Sequence, residues 1–361
     1  NDAESQGVFW VDLPDLAASA AEIQVQRGVG VSTNGAGAFG ATVNLDLSQI
    51  RPEPFAQVSN SFGSFNTRKH SAYIGTGLLG GKLAFTGRFY LIHSDGYVDR
   101  ASADQRSYHL SGAYVDDRQS AQVHLLSGHE ITYQAWNGLP AQFLDVDSLR
   151  TFNAAGTERP GQPYPDEVDN YKQSHYFFHY KRLLPRGFSL QGNGHYTRGA
   201  GFYEQYKASQ SYVDYGLSGP VFGDTTLTET DLIRRRWLDN HFYGGLLNLQ
   251  WAPPLNPPGL SGAPVFLLGV AYHRYDGKHF GEILWADYGI SKGHRYYDND
   301  ALKTDANAFL KIELPFRYGL SATIDVQYRN VRYNFLGFDN QLNNVTQNAR
   351  LDFFNPKAGL N

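Results

Sequence analysis

Long runs in which apolar and polar residues alternate one by one most constrain what this chain can fold into. In Phe188–Tyr196, Phe188, Leu190, Gly192, Gly194 and Tyr196 fall on one side, and Ser189, Gln191, Asn193 and His195 on the other. In Leu320–Arg329, Leu320, Ala322, Ile324, Val326 and Tyr328 oppose Ser321, Thr323, Asp325, Gln327 and Arg329. In Tyr171–Lys181, Tyr176, Phe178 and Tyr180 oppose Gln173, His175, His179 and Lys181. A period of two is the signature of a strand with one apolar and one polar face.

A soluble sandwich or propeller with one wet face would produce such runs, and so would a transmembrane barrel. Three features favour the barrel. The runs reach about ten residues, the length a tilted strand needs to cross a bilayer. Aromatics sit near strand ends, as in interfacial girdles: Tyr108, Tyr114, Tyr176, Tyr180, Trp251 and Tyr328. Connections alternate in length. The short ones are Leu79-Gly80-Gly81, Asp116-Asp117-Arg118, Pro185-Arg186-Gly187 and Pro315-Phe316-Arg317; the long ones span Gln134–Asn170, Gly199–Arg235 and Asp276–Lys303. Barrels of the bacterial outer membrane keep short turns on the periplasmic side and long loops outside. Ala252–Ala263 is long for a periplasmic link, but its prolines and glycines suit a rigid turn.

Composition agrees. The 361 residues include 24 Tyr, 23 Phe and 38 Gly, a bias toward β structure. Mean hydropathy is −0.44, and no apolar run is long enough for a transmembrane helix. Neither opposes a barrel, whose inner face is polar. A net charge of −4 and a pI near 6.3 give no basic footprint for nucleic acid. Cysteine is absent, so there is no disulfide framework or thiolate metal site. Methionine is absent too, and no signal peptide is visible; the first residues, NDAESQGVFW, read as the middle of a domain.

Gly35-x-Gly37-x-x-Gly40 has the spacing of a dinucleotide fingerprint. That motif needs a helix after the glycines to receive a pyrophosphate. Here Ala41–Leu47, ATVNLDL, alternates and reads as a strand, so the glycines are expected to serve tight turns and close packing. No Ser-His-Asp grouping, paired-carboxylate pattern or nucleophile elbow stands out, and the chain is not expected to be an enzyme or to hold a cofactor.

The segment Glu22–Leu47 resembles the C-terminal end of the plug domain of TonB-dependent outer-membrane receptors. There a strand ends in Arg-Gly, here Arg27-Gly28, before a glycine turn and a strand of Val-Asn-Leu type, here Val43-Asn44-Leu45. Ser61–Phe65, Ser94–Tyr97, Gly192–Arg198, Gly201–Tyr206, Arg274–Gly281, Tyr296–Lys303 and Phe353–Leu360 resemble strands and loop approaches of the same family's barrel. Gly40-Ala41 departs from the family's common Gly-Gly pair.

The resemblance implies an all-β fold: a partial transmembrane barrel of the plugged type, about 22 strands when whole. Residues 1–50 would be the C-terminal part of the plug and residues 51–361 the first half of the barrel, about twelve strands, with Pro52 and Pro54 at the boundary. It implies import across the outer membrane of a Gram-negative bacterium. The expected partners are the lipid bilayer, a small metal chelate (ferric siderophore, cobalamin or haem), and the inner-membrane TonB complex, acting through a plug segment upstream of this sequence. Glycan import is the alternative substrate class, and a passive barrel or adhesin the alternative of another kind.

The resemblance also gives Arg27, with Gly28, a role in seating the plug against wall carboxylates, Asp325 among the candidates; a solvated strand-end arginine is the competing reading. The long connections carry aromatics beside polar groups, and Trp136, Asn137, Phe202, Tyr203, Tyr206, His279, Trp285 and Tyr288 are the candidate substrate-binding residues. His175 and His179 lie about 13 Å apart on a strand, too far to share one ion. His109, His124, His195, His273, His279 and His294 are read first as lumen or girdle residues, with metal or haem binding as the alternative.

Overall fold

The computed structural model describes residues 10–28, 30–34, 40–254, 257 and 259–360. Gly35 and Gly37 lie outside the described residues. Short 3-10 turns at Trp10–Asp12 and Leu16–Ser19 lead into strands β1 (Glu22–Arg27) and β2 (Ala41–Asp46), which pair antiparallel with Arg27 opposite Ala41. Gly28 has φ +85°, a conformation side-chain-bearing residues rarely adopt, and its N–H meets the Gly40 carbonyl at 2.8 Å.

A twelve-stranded antiparallel sheet follows, in strict sequence order. Its first strands are β3 (Phe55–Gly63), β4 (Thr67–Gly75), β5 (Leu83–Ser94), β6 (Ala103–Val115), β7 (Gln119–Tyr133), β8 (Val168–Leu183) and β9 (Phe188–Ser211). A small hairpin, β10 (Val221–Phe222) and β11 (Thr225–Thr226), interrupts the order. The sheet resumes with β12 (Glu229–Trp251), β13 (Val265–Ala286), β14 (His294–Pro315), β15 (Ser321–Gly337) and β16 (Gln347–Leu360).

The ladder keeps its register over long distances, so directly opposed residues share a face. One face is lined by Lys69, Arg88, His109, His124, His175, His195, His273, Asp305 and Asp325, and the N-terminal segment packs on it. The other carries Leu110, Val123, Phe178, Leu247, Leu268, Val270, Leu310, Ile324 and Phe354, all exposed. Stacked rings bound this apolar zone. Phe188, Trp251 and Phe266 stack at the short-turn end, and Tyr176, Tyr196 and His241 toward the other. Tyr243 and Trp251, eight residues apart on β12, are separated by about 26 Å along the strand. Because one face is bare and the other polar, the clustered apolar core is small: Tyr215, Leu232, Ile283, Tyr296 and Tyr297.

The all-β reading holds, and so do the short turns. Two of the long connections do not. β9 and β12 run on until only 212–228 remains between them, and β13 and β14 until only 287–293 remains. Beyond the tyrosines the outward positions of β12 become His241, Asp239, Trp237 and Arg235, so the regular apolar period gives way to a mixed one while the backbone pairing continues.

Candidate functional site

Two constellations occupy the inner face. The first seats the N-terminal segment. Asp15 accepts from Lys69 Nζ at 3.1 Å and Arg88 Nη2 at 3.0 Å. The Arg88 guanidinium also donates to the Ala18 carbonyl, and Ser107 Oγ donates to the Pro14 carbonyl at 2.8 Å. Beside them, a β-carbon at Gly128 would lie 2.4 Å from the Asp12 carbonyl oxygen, so only glycine lets the 3-10 turn rest on β7. Further along, Gln122 Nε2 donates to the Ser48 carbonyl at 3.2 Å and Lys357 Nζ to the Gly30 carbonyl at 2.6 Å.

Asp325, 1 % exposed, accepts from the Ser32 backbone N–H at 2.7 Å and from its hydroxyl at 2.5 Å. Asp325, one of the candidate carboxylates for Arg27, is therefore engaged by a serine five residues later. Arg27 itself is exposed at the end of β1. Strand β1 pairs only with β2 among the described residues, and its side chains, Arg27 included, remain exposed.

The second constellation lies beyond the tyrosine band, where β8, β9, β12 and β14 approach the 134–167 connection. Arg236 donates to the Tyr203 hydroxyl at 3.0 Å and to the Tyr296 hydroxyl at 3.2 Å. Arg234 donates to the Tyr215 hydroxyl at 3.0 Å and to Gln205 Oε1 at 3.0 Å. Trp136 sets its edge against Tyr203, ring centroids 5.5 Å apart. Among the described residues neither guanidinium pairs with a carboxylate. Both guanidinium groups sit against tyrosine hydroxyls, and Arg236 lies over the Tyr203 ring, an arrangement suited to a planar or chelated anion.

The eight predicted binding residues divide by face. Tyr203 and His279 point inward and Trp136 leans on Tyr203. Phe202, the neighbour of Tyr203 on the strand, points outward and packs on Trp237, with Arg235 over its ring at 3.9 Å. Tyr206 is buried outward; its hydroxyl donates to Asp231 and its ring stacks on Trp285. Tyr288 sits in the 287–293 turn, where its carbonyl accepts from Tyr212, and Asn137 is exposed in the 134–167 connection. Phe202, Tyr203, Tyr206, His279 and Trp285 thus belong to strands, not loops.

Other residues fix the 134–167 connection. Tyr164 donates to Glu204 at 2.5 Å, and Glu204 also accepts from Arg235 Nε at 2.6 Å. Burial, then the Glu204 carboxylate, push the Tyr164 phenol well above its usual range. Tyr133 donates to the Tyr164 carbonyl at 2.7 Å.

The imidazoles pair across strands: His109 Nε2 to His124 Nδ1 at 3.1 Å and His195 Nε2 to His273 Nδ1 at 2.8 Å. Among the described residues no group of three or more metal-ligating side chains converges. Arg234, Arg236 and Tyr296 were not singled out by sequence. The run Arg234-Arg235-Arg236-Trp237 carried the signal, because a strand sends the first and third arginines to one face and the second to the other.

No protein-family model and no curated protein matches the sequence. Solved structures do match in shape. The ferric-catecholate import receptor Fiu from E. coli K12, in its closed form, superposes with a TM-score of 0.67 at 10% identity, over 95% of this chain and 52% of that one. BauA, the ferric preacinetobactin receptor from Acinetobacter baumannii, gives 0.67 at 12% identity, over 94% and 50%. The alcaligin outer membrane receptor FauA from Bordetella pertussis gives 0.60 at 13%, over 95% and 47%. The chain has the fold of these receptors and spans about half their length.

Proposed function

We propose that this chain is the first half of the barrel, with the adjoining C-terminal part of the plug, of a TonB-dependent receptor. In this reading it lies in the outer membrane of a Gram-negative bacterium and imports an anionic metal chelate. The exposed apolar face between two aromatic bands supports a lipid environment, since a water-soluble protein rarely leaves so much contiguous apolar surface bare. The N-terminal segment fixed to the polar inner face supports the plug assignment, and the fold supports the transport class.

The observation that carries the substrate class is the inner-face pair Arg234 and Arg236, held by tyrosine hydroxyls rather than carboxylates. Such cations attract a ligand with net negative charge, while Tyr203 and Trp136 offer flat contact area. Ferric chelates built on catecholate, hydroxycarboxylate or carboxylate groups have that chemistry. Coupling to the TonB complex would act through the plug.

The test is growth of a strain lacking the receptor, complemented with the intact protein or its Arg236→Gln variant, on single iron sources under iron limitation. Growth restored on at least one anionic ferric chelate, and lost with Arg236→Gln or without TonB, is expected. Equal growth of the receptor-less and complemented strains on every iron source, with uptake of a neutral oligosaccharide instead, would overturn the reading.

A further inference from the structure

Glu130 lies on β7 five residues beyond Leu125, the register partner of the band tyrosine Tyr176, and so outside the apolar zone. It faces inward, opposite Gln105 on β6 and Tyr171 on β8. It is 0 % exposed, and among the described residues no side chain or backbone group meets either carboxyl oxygen at full hydrogen-bond geometry. Its neighbour on the same face is Gly128, which the Asp12 carbonyl and Pro14 cover. Among the described residues the charged groups that face it are acids, Asp12 on the 3-10 turn and Asp169 on β8, itself pushed up to about 6 by burial, and Thr132 two residues along the strand offers a hydroxyl. Tyr171 is the remaining titratable neighbour, and Gln105 is neutral.

A buried carboxylate with two acids and no cation facing it, and the Thr132 hydroxyl as its donor, is strongly disfavoured relative to the neutral acid. The seated state therefore holds Glu130 protonated. We propose that Glu130 is a proton-dependent lock for the N-terminal segment: the Trp10–Ser19 segment rests on the wall while Glu130 carries a proton, and loosens when Glu130 ionises. Burial first, then the Asp169 and Asp12 charges, push its titration up to about 8. When the segment lifts, water reaches the carboxyl and its titration returns toward about 4.5. Raised in the seated state, the group strengthens seating fully below about 4.5. That contribution falls as pH rises and is gone above about 8.

The lock depends on the seat alone, not on the imported ligand, so it can fail or hold independently of the transport reading. The test is hydrogen exchange of the backbone amides of Leu13, Leu16, Ala18 and Ala20, which close the 3-10 turns, in the intact protein in detergent between pH 5 and 9. Rates are corrected for the intrinsic pH dependence of exchange. Protection is expected to fall at least tenfold between pH 5 and 8 and then level off. In Glu130→Gln it should stay at the low-pH level throughout. Asp169→Asn, which removes a facing charge and leaves Glu130 in place, should complete the fall at a lower pH. Wild-type protection independent of pH, or an unaltered slope in Glu130→Gln, would overturn the proposal. If Glu130→Gln does not fold, an Asp169→Asn profile identical to wild type would overturn it.

Discussion

Asp325 and Ser32 are joined by two hydrogen bonds across 293 residues of sequence, one from the serine backbone and one from its hydroxyl. A wholly buried carboxylate here has both partners supplied by a segment that is not part of the sheet. Hydrogen bonds to an ionised acceptor contribute about 1.5–3 kcal/mol each. Asp325→Ala is therefore expected to weaken the seating of the Ser32 segment by roughly 2–4 kcal/mol. Protease cleavage between residues 28 and 40 should accelerate at least tenfold. Arg27→Ala should leave that rate within twofold, because Arg27 is exposed.

Phe202 and Tyr203 are consecutive but face opposite ways. Tyr203→Phe removes one of the two tyrosine acceptors of Arg236 and should weaken chelate binding a few-fold. Arg236→Gln should weaken it at least tenfold. Phe202→Ala should leave affinity unchanged, since its ring packs against Trp237 and Arg235 on the outside. Titration calorimetry on the three variants separates the faces, and a Phe202→Ala loss equal to that of Tyr203→Phe would contradict the assignment.

The outward face makes its own prediction. Val270 sits opposite Leu247 and Ala308, between the aromatic bands. Val270→Arg should destabilise the protein in lipid vesicles by about 2–4 kcal/mol, as expected for a basic residue near the bilayer midplane. Tyr272→Arg, two residues nearer the tyrosine band, should cost less. Urea unfolding in vesicles reads both.

A fourth prediction concerns acid. Asp339 is exposed in the turn after β15. The Asn343 side chain first, then the Asn343 and Gln341 backbone N–H groups, hold its carboxyl below the usual range. A depressed acid stabilises the turn above about 3.8 and loses that contribution as pH falls. Amide exchange at Gln341 and Asn343 should quicken below about pH 4, and Asp339→Asn should remove the change.

The sheet was legible where one of its faces is apolar. Between Phe188 and Tyr196 side chains alternate by polarity because one set is bare of polar partners. Past Arg198 the outward face is mixed: Arg198, His241 and Asp239 take places that lower down belong to Leu247 and Leu249, beside the stacked rings of Phe202, Trp237 and Phe280. Backbone pairing is indifferent to that change, so strands continued where polarity suggested loops. The site was legible as composition but not as geometry. Trp136, Tyr203 and His279 belong to it or lie near it, whereas Phe202, Tyr206 and Trp285 share its height but not its side. The seat was least legible. Asp15, Ser32 and Gly128 are unremarkable residues whose roles come from contacts across tens or hundreds of positions.

Within the twelve-stranded sheet, strand length varies from 9 residues in β3 and β4 to 24 in β9. At about 3.3 Å per residue the difference is roughly 50 Å along the strand. The edge of the sheet is thus sloped, low over β3–β5 and high over β9–β14.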